Sequence, residues 1–269
     1  MQKASNHAHI RIVQSRQNAR VKELRAALRK SEKTASGLVA VEGLHLIEEA
    51  LRSGLSAQTI FVRSGNLPLL EGLQLDGAEI LELPADVFAG AVTTETPQGI
   101  AALVTAREFS LEDALRGNPP LVVIAAGLQD PGNLGTIVRS AEAFGAGGVV
   151  TLPGTVSAWN AKTLRASSGS VFRLPVVEAD TRRLFETLRR SRIRSLATVV
   201  AGGVTAQDVD LRGPIALLIG NEGRGLSSEL ASACDARVTI ACPGSVESLN
   251  AAIAASVLLY EASRQRTNP

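Results

Sequence analysis

The sequence predicts an α/β protein of two units, the larger built on a mostly parallel sheet with helices on both faces. Three observations predict it. Short apolar runs rich in Val, Ile and Leu alternate with stretches of helical periodicity over most of the chain, the pattern that closes such a sheet. With 269 residues, 45% of them hydrophobic, the chain is long enough to bury two ordinary cores. The alternation is interrupted once, by Arg107, Glu108, Glu112, Asp113, Gly117, Asn118, Pro119 and Pro120, punctuation that reads as a linker. The expected division is residues 1–105, a linker over 106–118, and a second domain over 119–269.

In order, the spacing of Val21, Leu24, Ala27 and Leu28 predicts an amphipathic basic helix over Val13 to Lys30. A strand at Gly37 to Val41 follows, then a helix from Leu44 to Ser53 stopped by Gly54. Strands at Thr59 to Val62 and Glu79 to Leu83, a helix at Ala85 to Ala91 and a strand at Ile100 to Val104 close a small α/β unit. Beyond the linker the reading is strand 121–126, helix 133–144, strand 148–152, helix 160–167, strand 175–177, helix 181–191, then strands 195–200, 215–219 and 237–240, and a last helix 249–264. That last helix is apolar almost all round, which predicts burial, between the sheet and a second subunit.

Charge is uneven. Lys3, Arg11, Arg16, Arg20, Lys22, Arg25, Arg29, Lys30 and Lys33 face only Glu23 and Glu32 in the first 40 residues, so a net +7 sits there and −5 on the remainder. This suits either an arm that meets phosphates or a solvated charged helix. A second basic group, Arg182, Arg183, Arg189, Arg190, Arg192 and Arg194, lies on the helix that turns Leu184, Phe185 and Leu188 inward; it is a second phosphate-facing surface or a set of solvated arginines. Cys234 and Cys242 lack the spacing of a zinc site or a disulfide framework, and no cluster including His7, His9 or His45 has metal-ligand spacing, so no metal is expected. No run of about 18 apolar residues appears, and the opening Met1-Gln2-Lys3-Ala4-Ser5-Asn6-His7 lacks the apolar centre of a signal peptide, so a cytoplasmic protein without a membrane partner is expected.

Three blocks carry the chemistry. In Asp130-Pro131-Gly132-Asn133-Leu134-Gly135-Thr136-Ile137-Val138-Arg139, the residues Leu134, Ile137, Val138 and Ala141 form a buried helical stripe. Arg139 sits nearly opposite, among the small Thr136, Ser140 and Ala143, where a ligand or another chain can approach closely. Asn133 is placed to cap this helix or to serve a site. In Leu217-Leu218-Ile219-Gly220-Asn221-Glu222-Gly223-Arg224-Gly225-Leu226-Ser227, three glycines after a strand expose main-chain groups able to grip an adenosine. The spacing is neither the dinucleotide fingerprint nor a P-loop. Glu222 is a loop carboxylate near a helix start or a site residue. In Ile240-Ala241-Cys242-Pro243-Gly244-Ser245-Val246-Glu247-Ser248-Leu249-Asn250, Ser248 and Asn250 stand where the last helix begins, and Ser248 is a natural cap.

In this order the blocks resemble the three motifs of the SpoU branch of the SPOUT RNA methyltransferases, over residues 119–269. The resemblance implies a carboxyl-terminal deep trefoil knot and transfer of a methyl group from S-adenosylmethionine to a ribose 2′-hydroxyl. It implies that backbone around Leu218, Gly220, Ile240 and Leu249 holds the cofactor, that Asn133, Arg139, Glu222, Ser248 and Asn250 are the polar motif residues, and that a homodimer brings Arg139 of one subunit toward the cofactor of the other. Cys242 and Ala251 replace the family's usual Met and Val, exchanges that alter packing beside the pocket. The first unit, with Ser15-Arg16-Gln17-Asn18, Val41-Glu42-Gly43 and Thr96-Pro97-Gln98-Gly99-Ile100, looks like the smaller RNA-binding substrate domain of the ribosomal-RNA-modifying members. Ribosomal RNA is therefore the expected substrate, with transfer RNA, a single resistance-conferring ribosomal nucleotide, a small-molecule substrate, or a non-catalytic assembly role as alternatives.

Overall fold

The computed structural model describes residues 10–267; Lys3, His7 and His9 lie outside the described residues. The chain forms two compact units, one of residues up to 108 together with 159–172, the other of 109–158 and 173 onward.

The first unit holds β1 (Ile10–Ile12), α1 (Ala19–Lys30), β2 (Leu38–Glu42), α2 (Leu44–Arg52), β3 (Ala57–Arg63), β4 (Glu79–Leu83), α3 (Ala85–Ala91) and β5 (Ile100–Thr105). Its sheet runs β1-β4-β3-β5-β2 and is mixed, because β5 is antiparallel to both β2 and β3. The basic helix starts at Ala19, not near Val13. Asn18 caps it by accepting from Arg20 N and Val21 N at 2.9 and 3.4 Å, while Val13 donates from its backbone to Glu82 O and extends the strand edge. Val21, Leu24, Ala27 and Leu28 pack with Phe61, Leu81, Phe88 and Leu103. The basic segment is thus no free arm over its described part: Arg11 pairs with Glu79, Arg16 with Asp86, Arg20 with Glu23 and Lys33 with Glu108.

The second unit begins inside the expected linker. Ser110 caps the short α4 (Leu111–Ala114) in a reciprocal capping box with Asp113. Then come β6 (Leu121–Ala125), α5 (Pro131–Ala143) and β7 (Gly148–Thr151). The next helix, α6 (Ala161–Ser167), belongs to the first unit, where Ala161 packs against the core and Asn160 joins its cap to Ser31. The chain returns with β8 (Val176–Glu178), α7 (Thr181–Arg190), β9 (Arg194–Thr198), β10 (Val204–Thr205), β11 (Ile215–Ile219), α8 (Ser228–Ala233), β12 (Ala236–Thr239) and α9 (Ala251–Thr267). All seven strands are parallel, in the order β10-β12-β9-β11-β6-β7-β8. Central β6 and β11 are buried at every residue, as a parallel sheet covered by helices on both faces requires.

Within one chain, α9 is buried on one face only. Ala251, Ala252, Ala254, Ala255, Leu258, Leu259 and Ala262 face inward, but Ile253, Val257 and Tyr260 are 53%, 37% and 57% exposed. The helix is fixed at its far end by Arg266, whose guanidinium donates to the carbonyls of Pro119, Pro120, Leu211 and Gly213. It is fixed laterally to α5 by a 2.7 Å bond between the hydroxyls of Ser140 and Ser256 and an edge contact of Phe144 with Tyr260.

Candidate functional site

β12, β9 and β11 are neighbours in the sheet, and their carboxyl ends open on one cavity of about 490 Å³. This is where an open parallel sheet presents a ligand crevice. Its walls are the loops after each strand, Thr198 to Ala201, Ile219 to Gly225 and Thr239 to Cys242, closed by Val246 to Leu249 and by Ala251 and Ala254 of α9. Most of these positions are small or apolar, so the polar groups on offer are largely main-chain.

The loop after β11 is held tightly. Asn221 and Gly225 exchange both backbone bonds, at 3.0 and 2.9 Å, and Asn221 Oδ1 accepts from Gly223 N and Arg224 N. A Cβ on Gly220 would lie 2.3 Å from Gly225 C and from Leu226 N. Only glycine allows that approach, and Gly220 itself lines the cavity. Apolar Ile240 and Leu249 beside main-chain donors and acceptors suit a purine nucleoside, so the cavity fits the adenosine of the implied cofactor.

The polar residues divide. Glu222 accepts from Gln129 N, Asp130 N and Asn133 Nδ2 at 3.3, 3.2 and 3.0 Å. Asn250 Nδ2 in turn donates to Asn133 Oδ1 at 3.0 Å. One chain of bonds therefore joins all three blocks. Partial burial pushes the Glu222 carboxyl up, but the bonds from Asn133 and from the backbone N–H groups of Glu222 itself, Asp130 and Gln129 outweigh it, and its pKa falls below the usual 4.5. Asn133 is not the cap of α5: Asp130 is, accepting from Gly132 N at 2.6 Å, which frees the Asn133 amide for Glu222 and Asn250. Nor does Ser248 cap α9. Asn250 Oδ1 does, accepting from Ala252 N and Ile253 N, and Ser248 lines the cavity wall.

Gly220, Ile240, Leu249, Glu222 and Ser248 line the cavity; Leu218 is fully buried in the core, one residue short of the wall. Arg139 lies six residues after Asn133, about 9 Å along α5. It is exposed, does not line its own cavity, and makes no ion pair or hydrogen bond among the described residues. One contributor lay outside the motifs and one within them was given no role. The wall after β9 was signalled only by Gly202-Gly203 behind an apolar strand, and Arg224 only by standing between two glycines. Among the described residues no group of His, Cys, Asp or Glu is arranged to hold a metal, and no helix is long and apolar enough to cross a membrane.

Residues 120–260 match the SpoU rRNA Methylase family and residues 18–102 the MRM3-like substrate binding domain. The chain is 35% identical to the 23S rRNA (guanosine(2553)-2′-O)-methyltransferase RlmP of Bacillus subtilis, over 92% of this chain and 97% of that one. Its fold is similar to the SpoU methyltransferase AviRb of Streptomyces viridochromogenes in complex with AdoMet, with a TM-score of 0.82 and 30% identity over 93% and 99% of the two chains. It is likewise similar to the AdoMet-bound rRNA methyltransferase of Sinorhizobium meliloti, with a TM-score of 0.81 and 32% identity over 95% and 98%.

Proposed function

The chain belongs to the SpoU rRNA Methylase family and is an S-adenosylmethionine-dependent ribosomal-RNA ribose 2′-O-methyltransferase, and we propose that its labour is divided between a cofactor cavity in one protomer and Arg139 of another. The observation that carries this reading is the cavity at the carboxyl ends of β9, β11 and β12, with its glycine cradle at Gly220.

When bound, S-adenosylmethionine supplies a methyl group on a positively charged sulfur, open to in-line attack. The backbone around Gly220, Ile240 and Leu249, with Leu218 supporting from the core, holds it by main-chain bonds and apolar contact. Glu222, Asn133 and Asn250 keep the three loops in register. Ser248 lies on the wall, available to a hydroxyl or phosphate. Positioning and stabilisation of the developing alkoxide dominate the barrier of such a transfer. A guanidine base is costly at neutral pH, since the Arg pKa lies above about 12. Arg139 therefore binds the neighbouring phosphate and the 2′-hydroxyl as a cation, and the proton leaves to water or a phosphate oxygen.

Arg139 reaches a cavity only in a homodimer. An unpaired guanidinium beside small Thr136 and Ala143, on a helix tied to the exposed Ile253, Val257 and Tyr260 of α9, supports a paired α5 and α9 face. The reading also includes the knotted carboxyl tail, a substrate-binding role for the first unit and methyl transfer by the second, and a cytoplasmic location. The test is transfer of radiolabelled methyl to fractionated RNA from a methylation-deficient host, with Arg139→Ala alongside. Label confined to large or small ribosomal RNA and lost in the variant is expected; label retained by Arg139→Ala would remove Arg139 from the reaction.

A further inference from the structure

The end of the catalytic sheet away from the cavity carries its own concave surface. A depression of about 430 Å³ is lined by Leu188, Arg189, Arg192, Ile193, Arg194, Ser195, Ala233 and Asp235, at the end of α7 and the start of β9. Arg194 opens β9 and Thr198, which lines the cofactor cavity, closes it, a separation of about 13 Å along the strand. We propose that this arginine-lined depression is a second RNA contact, which takes backbone phosphates of the substrate outside the reacting nucleotide. It rests on the reading of the chain as an RNA methyltransferase.

Three features carry it. Arg189, Arg192 and Arg194 are exposed and make no side-chain ion pair or hydrogen bond among the described residues, whereas Arg182 pairs with Glu186 and Arg190 with Glu112 on the same helix. The one carboxylate inside the depression is already engaged: Asp235 Oδ2 accepts from Ser195 N at 2.8 Å and Ser195 Oγ at 2.7 Å. Asp235 keeps its charge and feels Arg189 and Arg194 without a direct bond to either, so three guanidiniums face one carboxylate and net positive charge with open donors is left for an anion. Arg192, finally, is one of three non-glycine residues with positive φ among the described residues, at 54°, in the turn that ends α7. Glycine is the unstrained choice there, so Arg192→Gly removes the guanidinium without straining the turn. The three guanidiniums are spread over the end of α7, the turn after it and the start of β9, which suits more than one phosphate and supplies position without base identity.

The experiment compares the full-length protein with Arg189→Gln/Arg192→Gln/Arg194→Gln and with Arg192→Gly, on methylation-deficient ribosomal RNA. The triple variant should bind RNA with a log K against log [salt] slope shallower by about 1 per arginine. Its KM for RNA should rise about tenfold, with kcat at saturating RNA and the affinity for S-adenosylmethionine unchanged. Arg192→Gly should melt no lower than wild type and still lose about one unit of slope, which separates charge from folding. Unchanged slope and KM in both variants would overturn the proposal, as would an equal effect of inorganic phosphate and RNA as competitors, which would mark a small-anion site. Failure of the wild-type protein to bind or methylate RNA would instead overturn the functional reading beneath it.

Discussion

Two polar regions of the catalytic unit behave in opposite ways. At the meeting of the three motif loops, Glu222, Asn133 and Asn250 spend their hydrogen-bonding capacity on one another and on the backbone of Gln129 and Asp130. On the outer side of α5, Arg139 spends none. A group already satisfied by the protein holds shape; a charged group left open is available to a substrate. The motif residues are therefore not equivalent, and changing them should fail in different observables.

The largest effect tests the frame itself. Gly220→Ala puts a methyl 2.3 Å from the backbone of Gly225 and Leu226, and the backbone has nowhere to go without opening the Asn221–Gly225 pair. Calorimetric titration should detect no binding of S-adenosylmethionine, and the melting temperature should drop by several degrees, on the overpacking cost of about 1–3 kcal/mol. Normal cofactor affinity in this variant would place the cofactor elsewhere. Next is Arg139→Ala, for which kcat should fall on the order of 10²–10³ with cofactor affinity and melting temperature unchanged. Arg139→Lys should recover part of that loss if the role is cationic. A lysine variant as dead as alanine would argue for a shape requirement that charge alone does not meet.

Glu222→Gln should sit on the other side of the comparison. It trades a carboxylate that accepts from several donors for an amide that brings a donor of its own, leaving one backbone N–H facing N–H at a cost of about 1 kcal/mol. The expected result is a severalfold higher KM for S-adenosylmethionine with kcat changed less. The sign of its pH dependence follows from the lowered pKa: the stabilisation by Glu222 is complete above the unfolded value and is lost as pH falls from 4.5 through the folded one. Urea denaturation on the acid side of pH 4.5 should therefore show a smaller fall for Glu222→Gln than for wild type.

How far the sequence told this apart depended on the range of the interactions. Six of the seven strands of the parallel sheet were legible because continuous apolar runs such as Leu121 to Ala125 and Ile215 to Ile219 cannot be satisfied on an exposed sheet, while the two-residue β10 was too short to read. Gly220 and its loop were legible because three glycines behind such a run have no better use. Caps were not. Asn133 and Ser248 each had the right residue type at a plausible helix start, but Asp130 and Asn250 took the caps, and only the three-dimensional meeting of the loops shows that Asn133 was needed elsewhere. The return of residues 159–172 to the first unit was equally hidden, since Ala161 looks like any helix opening until the core of Phe61 and Leu81 is placed beside it. For α9 the pattern predicts burial between the sheet and a second subunit, and a single chain tests only the face turned to the sheet, because periodicity counts apolar residues without saying whether this chain or another covers them.

The two cysteines give the mildest test and separate the cavity from its surroundings. Cys242 lines the cofactor cavity, while Cys234 lies outside it, at the end of α8, with its thiol donating to Leu230 O at 3.2 Å. Burial, reinforced by the neighbouring Asp235 charge and offset in part by Ser195, pushes the Cys234 thiol up to about 11. Only about one molecule in a thousand is then thiolate at pH 8, and thiolate is the form that alkylates. Iodoacetamide at pH 8 should modify Cys242 first, and S-adenosylmethionine should slow that reaction without touching the rate at Cys234. Protection of both thiols by the cofactor would mean that its binding tightens the whole unit, and the contrast between a rigid loop junction and an open outer face would then have to be drawn between ligand states as well as between regions.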